Sequence, residues 1–149
     1  MPTDITLDIR QRYNVGMEAR YRKNAGAVFS LKYHLVWCAK YRRPVLVEAV
    51  ATRLRELLTD KATELEVEIH ALEVMPDHVH LFIESDPMRC VAELVNRFKG
   101  STSHDLRKEF PPLKSRLPTL WSRSYYAASE GQLVSKMVAD FVASQPRNQ

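Results

Sequence analysis

Two residues, Pro76 and Asp77, stand between two runs of strand character, residues 67–75 and 78–84. So short a connection leaves no room for a crossover, and the two runs must pair antiparallel as a hairpin. Upstream, Phe29, Leu31, Tyr33, Leu35 and Trp37 alternate with Ser30, Lys32, His34 and Val36, the period of a strand with one face in a core. After a basic turn at 40–44, Val47, Val50, Ala51, Leu54, Leu57, Leu58 and Leu65 recur at spacings of three and four, which predicts a long amphipathic helix. Downstream of the hairpin, Pro87 suits the first turn of a second helix. Val91, Leu94, Val95 and Phe98 continue that helix to Leu106, with a break or bend expected near Gly100. Pro111, Pro112 and Pro118 mark an irregular connection, residues 121–128 a last short strand, and residues 133–145 a final helix. The order β, α, β, β, α, β, α predicts an α+β domain of ferredoxin-like type. Its antiparallel sheet has helices on one face, followed by a C-terminal helix.

At 149 residues the chain has the length of one domain. Residues 1–26 are polar and weakly periodic and read as an N-terminal arm, with a single domain over 27–149. No apolar run approaches the roughly 18 residues of a membrane span. The first ten residues carry Asp4 and Asp8 where a signal peptide would be apolar, so the expected place is the cytoplasm, with no membrane partner. The two cysteines, Cys38 and Cys90, form neither a disulfide framework nor a metal clip and read as reduced core residues.

Charge is uneven. Between Glu18 and Glu48 seven bases meet no acid, and from Arg89 to Arg123 eight bases meet three acids, against a net charge of only +4. Two such regions on one small domain suit a nucleic-acid backbone, although solvated basic faces are common and charge alone names no partner.

The segment richest in chemistry is Met75-Pro76-Asp77-His78-Val79-His80-Leu81-Phe82-Ile83-Glu84. On a strand the side-chain period is two, so His78 and His80 share one face while Val79, Leu81 and Ile83 share the other. Two imidazoles side by side are potential metal ligands that leave positions open for a third protein group and a substrate oxygen, whereas a bare His-x-His also occurs on solvated faces.

The stretch resembles the HUH motif (His, hydrophobic, His) of the single-tyrosine TnpA transposases of the smallest insertion sequences, the IS200-like family, and of the related REP-associated tyrosine transposases. The resemblance runs from about Val28 to Gln145. It is carried by Tyr33-His34-Leu35-Val36-Trp37-Cys38-Ala39-Lys40-Tyr41-Arg42-Arg43-Pro44, by Glu73-Val74-Met75-Pro76-Asp77-His78-Val79-His80, by Phe98-Lys99-Gly100-Ser101 and by Leu120-Trp121-Ser122-Arg123-Ser124-Tyr125-Tyr126.

The resemblance implies a homodimer that binds hairpins at the ends of single-stranded DNA and cuts and rejoins the strand next to them through a 5′-phosphotyrosine. A divalent metal, Mg or Mn, is implied on His78, His80 and Gln145. The family's last helix carries Tyr-x-x-x-Gln; here the stretch is Phe141-Val142-Ala143-Ser144-Gln145. The glutamine is present and the tyrosine is not, and phenylalanine has no hydroxyl with which to form a phosphoester. Cleavage by the chain as written is therefore expected to be lost, whether position 141 was changed deliberately or the chain is a natural silent copy.

Phe141 also lies on the apolar stripe of Val134, Met137 and Val138, and Tyr125 and Tyr126 are substitute nucleophiles to weigh. Lys40, Arg42, Arg43, Arg97, Lys99 and Arg107 are the expected phosphate contacts, with Tyr41 available to stack on an extruded base. Glu73 could assist the metal from the neighbouring strand, while His34, His70 and His104 show no ligand spacing and read as structural or surface. The main alternative is a domesticated hairpin-binding protein without cleavage. A sheet-type RNA binder lacks the stacking aromatics such a module needs, and a hydrolase using water would stay active with Phe141.

Overall fold

The computed structural model describes residues 22–23, 26–129 and 134–147. Most of the expected N-terminal arm lies outside these. Its described part contains β1 (Arg22–Lys23), which pairs antiparallel with β2 (Val28–Phe29) in a small ribbon. Then follow β3 (Leu31–Cys38), a 3-10 turn (Lys40–Arg42), α1 (Glu48–Glu64), β4 (Glu68–Met75), β5 (His78–Ser85), α2 (Val91–Glu109), α3 (Pro111–Ser115), β6 (Tyr126–Ser129) and α4 (Val134–Ser144).

The main sheet has the order β4-β5-β3-β6, with every neighbouring pair antiparallel. This is the ferredoxin-like order expected from the succession of elements. The Pro76-Asp77 turn joins β4 to β5, and its two carbonyls accept backbone bonds from Leu46 (3.0 Å) and Ala39 (2.9 Å), which fixes the hairpin tip to the end of β3.

The two faces of the sheet are covered differently. Leu35, Trp37, Val79, Leu81 and Ile83 point into the main core, where α1 supplies Leu54, Leu57 and Leu58 and α2 supplies Leu94, Val95, Phe98 and Leu106. Trp37 stacks on Phe98 and meets the edge of Trp121, whose indole N–H donates to Thr102. On the opposite face Val36 and Cys38 form a second, smaller cluster with Val138 and Val142 of α4. The terminal helix therefore crosses the sheet on the side away from α1 and α2.

Some local expectations are corrected. Helix α2 passes Gly100 without interruption, because that residue faces open space while Phe98, Thr102 and Leu106 are buried on either side of it. A helical glycine costs about 1 kcal/mol, which such packing outweighs. The same helix begins at Val91 rather than near Pro87. Cys38 is buried as expected, but Cys90 is exposed, being the residue that leads into α2. The last strand is shorter than predicted, since Trp121 makes only an isolated bridge to Ala39. No helix among the described residues is long and apolar enough to cross a membrane.

Candidate active site

Strand β5 holds His78 and His80 on the face that α4 partly covers. Their cross-strand neighbours on β3 are Cys38 and Val36, the two residues on which Val138 and Val142 pack. On β4 the neighbours are Met75 and Glu73, so Glu73 stands directly opposite His80, as a cross-strand pair should.

Each histidine has a polar partner. His78 Nδ1 lies 2.8 Å from Asp77 Oδ1, and the other oxygen of that carboxylate accepts a bond from Arg42 Nε at 3.4 Å. Tyr41 and Arg42 adopt left-handed backbone (φ 59° and 52°), uncommon for residues with side chains and a local strain that the fold retains beside this pair. Burial alone would raise the Asp77 carboxyl, but its bond to His78 and the Arg42 guanidinium outweigh it, and the group sits below the ordinary carboxylate range.

His80 Nε2 lies 2.9 Å from Nδ1 of His34, a residue of β3 whose ring stacks on Phe82 at 4.2 Å and 11°. Burial, then the neighbouring His34 and His78, hold His80 below the usual imidazole range, against an opposing pull from Glu73. The burial that lowers it favours the neutral imidazole, the form a metal ligand requires.

Sequence spacing points to neither Asp77 nor His34 as a site residue. Asp77 belongs to the turn, where Asp is expected for backbone reasons. His34 is 46 residues from its partner, and only the register, which sets His34 against Phe82 and Val36 against His80, brings the two rings together.

The same face continues along β5 to Glu84. At a bulge in β4, His70 is the extra residue, and its Nε2 lies 2.8 Å from Glu84 Oε1. Glu68, His70 and Glu84 form a group of metal-ligand type, and Glu84 Oε2 is buried without a hydrogen-bond partner among the described residues.

Helix α4 contributes Phe141, half-buried, whose ring lies 5.9 Å from that of Tyr126 on β6. The Tyr126 hydroxyl donates to Met137 Sδ at 3.4 Å. One residue past the helix, Gln145 accepts a bond from the Ser124 hydroxyl at 3.1 Å and donates to the Phe141 carbonyl at 3.3 Å. It lines a cavity of about 200 Å³ with Lys40, Tyr41, Ser122, Arg123, Ser124 and Pro146. Its hydrogen bonds are thus to the loop and helix rather than to either histidine.

The expected phosphate contacts divide into two groups. Lys40 lies over the Tyr41 ring (5.1 Å), Arg43 is exposed, and Arg97 is exposed in a surface ion pair with Glu64 (3.2 Å). Arg42, Lys99 and Arg107 instead bond within the protein. Lys99 donates to the carbonyls of Ser122 (2.7 Å), Ser124 (3.3 Å) and Arg123 (3.4 Å), and burial lowers its pKa to about 8. Arg107 donates to the carbonyls of Leu117 and Pro118.

The family described as "Transposase IS200 like" matches residues 27–145. The ISDra2 transposase TnpA of Deinococcus radiodurans is 36% identical over 126 residues, covering 83% of this chain and 90% of the relative. The IS200 transposase of Salmonella typhimurium is 31% identical over 123 residues, 78% of each chain. Among solved structures, a candidate transposase from Deinococcus radiodurans superposes with a TM-score of 0.81 at 35% identity, covering 85% of this chain and 99% of the other. A REP-associated tyrosine transposase bound to a REP hairpin shares the fold at a TM-score of 0.52 and 14% identity, over 83% of this chain and 66% of the other. The chain belongs to the family of IS200-like transposases.

Proposed function

We propose that this transposase acts on single-stranded DNA. It binds hairpins at the ends of an element and positions the adjacent strand at His78, His80 and Gln145, with position 141 belonging to the nucleophile. The observation that carries this reading is the shared face: His78 and His80 lie beside Val36 and Cys38, on which α4 packs, and α4 leads from position 141 to Gln145. The relative of the same fold bound to a REP hairpin supports the choice of a hairpin.

The donor set fits a divalent cation, Mg or Mn. His78 has one ring nitrogen on Asp77, leaving Nε2 for a ligand bond, and burial favours the neutral form of His80. Such a cation supplies the positive charge that polarises a scissile phosphate. The protein's own part is to hold the strand and the attacking hydroxyl in line. With tyrosine at 141, its phenolic oxygen would bond to phosphorus as the bond to the 3′ oxygen breaks. The 5′ end would remain on the enzyme and the 3′ oxygen would take up a proton as a free hydroxyl.

With Phe141 no such bond forms. The chain as written binds and positions DNA without cutting it, whether position 141 was altered or the copy is naturally silent. Lys40, Arg43 and Arg97 contact phosphates and Tyr41 stacks on a base, while Arg42 braces the hairpin turn and Lys99 and Arg107 brace the connection at 117–124. A homodimer in which the last helix of one subunit serves the histidines of the other completes the reading, and the protein works in the cytoplasm.

The test is Phe141→Tyr against the unaltered chain, with Mg and a labelled single-stranded hairpin, on a denaturing protein gel. A covalent adduct with Tyr only is expected. An adduct with the unaltered chain would point to Tyr126, the hydroxyl-bearing ring next to Phe141. No adduct with either, with the hairpin still bound in a salt-dependent way, would leave the second reading: a hairpin-binding protein that has lost cleavage, which Phe141 itself favours.

A further inference from the structure

The two histidines of the site do not have the same hydrogen-bond partner, and the difference dictates which nitrogen each can offer. Asp77 is a carboxylate braced on its far oxygen by Arg42 (3.4 Å), so it can only accept, and the nitrogen of His78 that faces it at 2.8 Å must carry the proton. That nitrogen is Nδ1. With the proton on Nδ1, the lone pair that His78 can offer is on Nε2.

His80 is turned the other way. Its Nε2, not its Nδ1, lies 2.9 Å from a ring nitrogen, Nδ1 of His34. One of these two nitrogens donates and the other accepts. If His34 donated, His80 would hold its remaining proton on Nδ1 and have no lone pair left for a ligand bond. If His80 donates, its Nδ1 is open. The stacking of His34 on Phe82 at 4.2 Å and 11° fixes the plane of the accepting ring, so the arrangement is held by packing as well as by the bond itself.

We infer that Asp77 and His34 are positioning residues that set opposite tautomers in the pair, so that His78 offers Nε2 and His80 offers Nδ1 to the cation. This rests on the metal reading given above. Partners of this kind orient a ligand ring, fix its tautomer and raise its basicity, and losing one typically weakens metal affinity by about 10- to 100-fold. His34 thereby joins the site from the neighbouring strand without being a ligand.

The first experiment needs no metal and no activity. Two-bond proton–nitrogen correlation NMR of the uniformly ¹⁵N-labelled full chain distinguishes a ring protonated on Nδ1 from one protonated on Nε2. His78 is expected as the Nδ1–H form and His80 as the Nε2–H form; finding the same tautomer in both overturns the inference. The second experiment is Mn titration by calorimetry, with thermal unfolding as a control for folding. His34→Ala and Asp77→Ala are each expected to lose about 10- to 100-fold in affinity. His34→Asn and Asp77→Asn, which keep an acceptor near the same place, should recover most of it. Unchanged or tighter binding by His34→Ala would mean that His34 competes with the cation for His80, and would overturn the inference. If instead His78→Ala binds Mn as well as the unaltered chain, the metal reading itself fails, whatever the tautomers prove to be.

Discussion

Leu81 and Phe82 are neighbours on β5, yet they belong to different environments. Leu81 is fully buried among the residues of α1, α2 and the sheet, where nearly every contact is apolar. Phe82 is half-buried on the other face, between the rings of His34 and His70. The first face makes the domain stable; the second collects polar groups that a core could not tolerate without partners. What separates them is only the alternation of side chains along a strand. The contrast teaches that this sheet is a partition, with stability concentrated on one side and chemistry on the other.

The largest effect expected from breaking that contrast is on the core side. Leu81→Ala should lose about 2 to 5 kcal/mol by urea unfolding, the range for leucine truncation in a closed core. Phe82→Ala, one position along, should lose about half of that or less, and should disturb Mn affinity through the ring of His34. Equal losses of stability at the two positions would mean that the faces are not energetically distinct.

A smaller effect is expected where α4 covers the second face. Val142 is 8% exposed and belongs to a cluster of few residues, so Val142→Ala should lose about 1 to 2 kcal/mol. Hydrogen exchange should show the loss confined to α4, with the strands of the main core protected as before. Faster exchange throughout would mean that α4 is part of the same cooperative unit.

The smallest effect is a slope. Lys99 lies behind the loop that bonds Gln145, and its pKa falls from 10.5 to about 8 through burial. Between those values the unfolded chain binds more protons than the folded one, so this group makes stability rise with pH across the window. Cys38 acts oppositely. Burial, aided by Asp77, raises it from 9.0 to about 11, so it lowers stability as pH rises above about 9. From pH 8 to 9, therefore, the unaltered chain should gain stability relative to Lys99→Met; parallel urea midpoints for the two proteins over that range would mean that burial does not lower the Lys99 pKa.

Much of this was legible in the chain. The two-residue turn required a hairpin, the alternating runs gave strands with an inner face, and the succession of elements matched the observed strand order. The period of two also sufficed to set His78 and His80 on one face. The kink expected at Gly100 did not occur, because a local propensity worth about 1 kcal/mol cannot oppose the burial of Phe98 and Leu106 on the same helix. Lys99 could be counted as a basic residue, but nothing in its neighbours showed that its ammonium would end beneath three carbonyls.

The period of each element, the hairpin, the histidine pair and the absence of a hydroxyl at position 141 follow from residues close together along the chain. The place of α4 on the histidine face, the bracing of Asp77 by Arg42 and the meeting of His34 with His80 arise from long-range packing. These depend on strand register and on the side of the sheet a helix chooses, and both are settled by the packing of residues tens of positions apart.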